Sequence, residues 1–206
     1  MLYRIRKYYS ENGLIKTIMQ LFVVFIRQTL QNKYIIWVVD PNEFANYDDK
    51  HDYVFVCKTK YEMMTKTELF SLENNGNRNV NYYKLKSHFD KGATLWIVKL
   101  DDDVLGFVWS IKGKTYTPYY FPIGPNDVQL FDAEVFTKFR GKALSKHLFI
   151  YVLNELSKQN IKNLYTDTAI WNIPIQRTLS KLDFNKIGLV RKFVVLNKAF
   201  VIWSKF

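Results

Sequence analysis

The stretch that most constrains the fold is Asp127 to Leu156, DVQLFDAEVFTKFRGKALSKHLFIYVLNEL. It changes hydrophobic period once, from two to helical, across a short basic turn. Period-2 alternation puts Leu130, Asp132, Glu134 and Phe136 on one strand face, with Phe131, Ala133 and Val135 on the other. After the turn, Leu144, Leu148, Tyr151, Val152 and Glu155 recur at helical spacing, with the apolar positions on one stripe. Lys138, Arg140, Lys142 and Lys146 lie between or just inside, and no acid occurs from Val135 through Asn154. A helix N-terminus offers backbone N–H groups and a positive dipole end. Beside small residues and basic side chains, it suits a pyrophosphate.

The run VFTKFRGKALSKHL resembles the cofactor-binding motif of the GNAT acyltransferases, the Gcn5-related N-acetyltransferase superfamily. Arg140 fills that motif's first position and Gly141 follows it. Ala143 and Ser145 stand where the family prefers Gly and then Gly or Ala. A second run, NLYTDTAIWNIPIQRTLSKLDFNKIG, is similar to the family's signature of strand, Asn, helix and Gly-Phe. Asn172 and Phe184 match it, Asp183 replaces the Gly, and Leu179 replaces the Tyr that many members carry.

The resemblance implies acetyl-CoA, or another short acyl-CoA, as cofactor. It places the cofactor at Arg140, Gly141, Lys142, Ala143, Leu144, Ser145 and Asn172, while Arg177, one turn after Pro174, could meet a cofactor phosphate or a substrate anion or stand as an exposed surface arginine. Backbone N–H groups near Val135 and Phe136 would orient the thioester carbonyl. Acyl transfer to an amine also needs a proton acceptor. Glu134 is the first candidate and Asp132 the second, roughly 7 Å apart at strand rise. Either could instead face solvent or pair with a lysine.

The whole chain fits that fold. Its order is helix, strand, helices, hairpin, strand, helix, strand, helix, strands. This implies a mixed α/β (α+β) fold, a largely antiparallel sheet with helices on both faces, and the resemblance adds a splay between two central parallel strands. Those strands are Gln129–Phe136 and Leu164–Ala169. Tyr61–Leu72 and Tyr82–Phe89 read as helices. Thr94–Leu100 and Val104–Ile111 read as a hairpin turning at Asp101-Asp102-Asp103. Phe193–Phe206 reads as terminal strands with a turn near Asn197-Lys198. A chain of 206 residues, 48% hydrophobic and 17% aromatic, can bury a substantial core. The single cysteine, Cys57, excludes an intramolecular disulfide, and His51, His88 and His147 lack metal-ligand spacing.

Residues 1–33 stand apart as a basic amphipathic segment ahead of the acyltransferase domain at 34–206. They carry Arg4, Arg6, Lys7, Lys16, Arg27 and Lys33 against one acid, Glu11. The longest unbroken apolar run, Leu21–Ile26, is far short of a membrane span. The segment could lie on a membrane interface, cap the domain or form a dimer seam. The expected location is cytoplasmic, with peripheral membrane contact one alternative. A net charge of +11 fits phosphorylated ligands, anionic lipid or nucleic acid, but no nucleic-acid-reading motif is present.

Resemblance to members associated with bacterial surface-polysaccharide synthesis implies an amino-sugar acceptor on a nucleotide or lipid carrier. The aromatic run Tyr116–Phe121 suits stacking on a ring. A peptide or protein amine is the alternative acceptor. A non-catalytic basic module that binds membrane or nucleic acid is the alternative outside enzymes.

Overall fold

The computed structural model describes residues 13–19, 33–44, 52–75, 80–116, 123–195 and 198–204. One eight-stranded sheet runs through it, in the spatial order β2-β3-β4-β5-β6-β1-β7-β8. The strands are β1 (Lys33–Val39), β2 (Val54–Lys58), β3 (Thr94–Leu100), β4 (Asp103–Lys112), β5 (Asp127–Val135), β6 (Asn163–Ala169), β7 (Asn185–Val195) and β8 (Lys198–Ser204). Every neighbouring pair is antiparallel except β5 and β6. The helices are α1 (13–19), α2 (Lys66–Asn75), α3 (Tyr82–Asp90), α4 (Leu144–Ser157) and α5 (Ile173–Ser180).

Two cores sandwich the sheet. On one face Leu144, Leu148, Val152 and Leu156 of α4, with Leu179 of α5, pack on Trp37, Val108, Leu130 and Leu164. On the other, Leu72 of α2 and Leu85 and Phe89 of α3 pack on Leu95, Ile97, Phe107 and Trp109. Buried indole N–H groups find hydroxyl partners, as apolar surroundings favour. The Trp37 indole N–H donates to Thr168 Oγ1 at 2.8 Å, and that of Trp96 donates to Ser110 Oγ at 2.8 Å.

The N-terminal strand takes a place that chain order does not suggest. β1 lies between β6 and β7, antiparallel to both, with Ile36 opposite Asp167 on one side and Gly188 on the other. β6 and β7 are therefore parallel strands joined by α5, held apart by an earlier piece of chain. Ile35, Trp37 and Val39 face the α4 core while Ile36 joins Val190 beneath the sheet. A strand buried on both faces explains the continuous apolar run at this point. Of the basic segment 1–33, only 13–19 and Lys33 are described; in 13–19, Leu14, Ile15, Ile18 and Met19 are exposed.

Two sequence expectations are corrected here. Tyr61–Leu72 is not one helix: a 3-10 turn at Tyr61–Met63 precedes α2, which starts anew at Lys66. Thr65 causes the restart. Its Oγ1 accepts from Glu68 N–H at 3.2 Å, and Glu68 Oε2 accepts from Thr65 N–H at 2.9 Å, a reciprocal capping box. Second, alternation along β5 fails at Asp132, whose φ of 50° lies in the left-handed region. Trp109 faces Phe131 and Phe107 faces Glu134, so one residue of β4 spans two of β5, a β-bulge. Leu130 thus packs with α4 whereas Phe131 and Phe136 pack on the opposite face. Of the turn expected near Asn197-Lys198, Asn197 lies outside the described residues and Lys198 opens β8.

Glu68 is 1% exposed and also pairs with Lys58 Nζ at 3.2 Å and Lys99 Nζ at 3.9 Å. Removing its carboxylate deletes a cap and strands two half-enclosed ammonium groups. Glu68→Ala should lower stability by about 3 kcal/mol. Glu68→Gln, which retains an acceptor for Thr65 N–H, should cost clearly less. Urea denaturation decides between them, and equal losses would contradict the capping role.

Candidate active site

Parallel pairing of β5 with β6 runs only from Asp127↔Asn163 to Leu130↔Thr166, after which the strands part. The start of the pairing is pinned. Asp127 Oδ1 accepts from Asn163 Nδ2 at 2.9 Å and its Oδ2 from Gly124 N–H at 2.7 Å. Beyond Leu130 a cleft of about 630 Å³ opens between the strands, floored by Ala133, Glu134 and Val135. Arg140, Gly141, Ala143, Leu144 and Ser145 form one wall, with Trp171, Asn172 and Ile175 opposite. Gln176 fixes that opposite wall, its Nε2 donating to Ala169 and Ile170 carbonyls at 3.1 and 2.9 Å.

The bulge decides which backbone groups face the gap. Phe136 N–H donates to Leu105 O on β4 at 2.9 Å. Backbone groups of successive strand residues point to alternate sides, so Val135 N–H points away from β4 and into the opening. The expectation that Phe136 presents an N–H to a thioester is thereby corrected: its amide is spent on the sheet and its ring is fully buried. Val135 O also faces the opening and accepts from Arg140 Nε at 3.1 Å, which ties the arginine to the cleft's rim. Gly106 makes this crowding tolerable, because a Cβ there would lie 2.6 Å from Glu134 O.

α4 begins at the cleft. Ala143, its N-cap, has φ 53° and ψ 15°, and no side chain caps the helix. Lys146 N–H already donates to Ala143 O at 2.8 Å, so the N–H groups of the first turn before it are directed outward toward the cleft wall. Basic Arg140 and Lys146 flank them. This is the donor set a pyrophosphate needs, and it fits coenzyme A. Asp183, also replacing an expected Gly, has φ 52°. At both departures the backbone keeps the left-handed turn that glycine would take without strain.

A second cleft, of about 410 Å³, lies across the splay. Tyr34, Tyr116, Gln129, Phe131, Asp132, Asp167, Thr166, Thr168 and Lys192 line it. Ala133, Phe149, Trp171, Asn172 and Ile175 line both clefts, so the two meet there. Tyr116 is tied in by its N–H, which donates to Gln129 Oε1 at 2.8 Å.

The structure separates the two candidate carboxylates. Glu134 is buried and lines the first cleft; Asp132 lines the second. Asp132 Oδ2 lies 3.0 Å from Lys84 Nζ on α3. Of the expected cofactor residues, Val135, Arg140, Gly141, Ala143, Leu144, Ser145 and Asn172 line the first cleft. Lys142 and Arg177 stand exposed outside its lining. Leu179 is fully buried in the α4 core. From the aromatic run 116–121 only Tyr116 is described. Sequence reading missed Trp171, 58% exposed beside Asn172, and Tyr34, which only the placement of β1 brings to the site. An aromatic residue next to the matched Asn was the one available signal for Trp171.

A cofactor cleft at a parallel splay, opened by a bulge and walled by a helix N-terminus, defines an acyltransferase site of one fold type. Residues 61–184 match the model of the Acetyltransferase (GNAT) family. That is more than half of the chain, which therefore belongs to this family, whose acyl donor is acetyl-CoA. No functionally curated protein matches the sequence.

Solved structures share the fold at low identity. A Drosophila protein superposes with TM-score 0.54 at 10% identity, over 76% of this chain and 48% of its own. A GNAT-family structure from Novosphingobium aromaticivorans gives 0.51 at 12%, over 76% and 60%. A tandem GNAT protein from the clavulanic acid biosynthesis pathway gives 0.52 at 15%, over 83% and 52%. The chain thus spans about half to three fifths of these proteins' lengths.

A left-handed alanine costs about 1–2 kcal/mol relative to glycine, partly offset by glycine's freer unfolded chain. Ala143→Gly should therefore raise stability by about 0.5–1 kcal/mol without weakening acetyl-CoA binding. Ala143→Val, with a branched Cβ in that conformation, should lower both. Thermal melts and calorimetry check this, and a destabilised Gly variant would contradict the assigned turn.

Proposed function

We propose that the protein is an acyl-CoA-dependent N-acyltransferase that modifies a primary amine, with an amino sugar on a nucleotide or lipid carrier as the acceptor. The observation that carries this reading is the meeting of two clefts across the β5–β6 splay at Ala133, Phe149 and Asn172. One holds the helix N-terminus and the outward Val135 amide; the other holds Asp132. A donor and an acceptor entering from opposite sides converge on one strip of β5, which is the proximity a bimolecular transfer needs.

When bound, coenzyme A supplies the acyl group as an activated thioester. The first-turn N–H groups of α4, with Arg140 and Lys146, would hold its phosphates. Val135 N–H, directed into the gap, would donate to the thioester carbonyl oxygen as negative charge develops there. Asp132 takes the proton from the incoming amine at its carboxylate. Asp132 lines the second cleft and Glu134, the first choice from sequence alone, does not, which supports Asp132 as the proton acceptor.

The second cleft suits a sugar. Tyr34, Tyr116 and Trp171 supply ring faces, while Gln129, Thr166, Thr168 and Asp167 supply hydrogen-bonding groups for hydroxyls. Mixed apolar faces and convergent polar groups are what ring recognition requires. A peptide amine would need an extended groove, whereas this cleft is compact.

Calorimetric titration with acetyl-CoA should show micromolar binding that is lost in the Arg140→Glu, Ser145→Arg double variant. With acetyl-CoA and a panel of amino sugars, Asp132→Asn should lower turnover by about 100-fold or more while cofactor affinity stays within twofold. Tight cofactor binding by the double variant would remove the assigned donor cleft. Undiminished turnover in Asp132→Asn would remove the assigned base.

A further inference from the structure

Behind Asp132 lies a titratable side chain that the reaction as described does not use. His88, on α3, is 1% exposed. Three rings enclose it: Tyr116 with centroids 4.4 Å apart, Trp109 at 4.7 Å and Phe131 at 5.5 Å. Its Nδ1 lies 3.3 Å from Tyr116 Oη, and its Nε2 lies 3.6 Å from Asp132 Oδ2. Nε2 is fully enclosed and makes no hydrogen bond in this state. Burying such an atom unbonded is costly unless a partner can reach it. The nearest acceptor is Asp132, beyond hydrogen-bonding range by only a few tenths of an ångström.

The chemistry selects one tautomer. A lone pair on Nε2 would face a carboxylate oxygen, which is repulsive; an N–H there is attractive. Nδ1 then carries the lone pair and accepts from the Tyr116 hydroxyl. The groups around His88 agree. Lys84, one turn earlier on α3, pairs with the same Oδ2 at 3.0 Å, and Lys91 Nζ sits 4.2 Å over the Tyr116 ring. Tyr116 and Asp132 line the second cleft, whereas His88 does not.

We propose that His88 is a positioning residue: as the Nε2–H tautomer fixed by Tyr116, it holds the Asp132 carboxylate in the acceptor cleft. The bulge makes this necessary. With φ at 50°, Asp132 has lost the orientation that a regular strand would impose, so its direction must come from outside β5. α3 provides it through Lys84 and His88, one helical turn apart on one face. The claim rests on the reading of Asp132 as the residue facing the acceptor amine.

Histidine-selective ¹⁵N NMR on the full chain tests it without a known acceptor. The His88 signals are those lost in His88→Phe, which keeps a ring in the cage. They should show the proton of the neutral ring on Nε2, move in Asp132→Asn, and become a tautomer mixture in Tyr116→Phe. With acetyl-CoA and glucosamine as probes, His88→Phe should lower kcat about 10- to 100-fold at unchanged acetyl-CoA affinity. It should cause no further loss in an Asp132→Asn background, the non-additivity expected of residues acting as one unit. His88 signals that ignore Asp132→Asn, or an Nδ1–H tautomer, would overturn the proposal. If Asp132→Asn moves those signals yet leaves the rate intact, the base assignment fails instead.

Discussion

Backbone hydrogen bonds that β5 and β6 cannot make to each other beyond Leu130 and Thr166 are the constraint on which the rest of the molecule depends. Buried amides and carbonyls do not go unpaired without cost. The parted edges are therefore answered locally wherever the fold can do so. Arg140 takes the Val135 carbonyl, and Gln176 takes the Ala169 and Ile170 carbonyls at the end of β6. The Val135 amide remains directed at the gap, together with the first turn of α4. An opening of this kind needs rigid edges, and the Asp127 carboxylate sets where it begins by bonding both Asn163 and Gly124.

Rigidity comes from what lies on either side. The hairpin of β3 and β4 backs β5, while β1 backs β6 from Tyr34↔Ala169 to Val39↔Leu164. With β1 inserted, β6 is paired on its far edge and cannot drift toward β5 to close the splay. The same insertion brings Tyr34 to the second cleft. One early strand thus serves both the stability of the gap and the shape of the second cleft. The bulge at Asp132 completes the arrangement, with Asp132 lining the second cleft and Glu134 the first.

Much of this could be read from residue pattern. The change of period at Phe136–Leu144 and the basic turn marked the start of α4, the family resemblance marked the Asn172 helix, and the alternation of β3 and β4 marked the hairpin. The lost parts share a physical cause: they depend on backbone conformation or on long-range pairing, which side-chain pattern does not encode. Nothing in FDAEV marks Asp132 as left-handed, so strict alternation grouped Leu130 with Asp132 and Glu134. Ala143 and Asp183 adopt turns that their side chains disfavour, so they read as departures although the chain keeps the glycine geometry. The run YIIWVV shows a doubly buried strand but not which neighbours bury it. His88 looked like one of three scattered histidines because its partners, Tyr116 and Asp132, come from distant segments.

Residue-resolved amide hydrogen exchange, with and without acetyl-CoA, reads the gap at β5 itself. Phe136 should exchange slowly in both states, since its bond to Leu105 belongs to the sheet. Val135, Leu144 and Ser145 should exchange fast alone and slow markedly when the cofactor is added. Protection of Val135 without ligand, or slowing that spares these three amides, would contradict this reading of the gap.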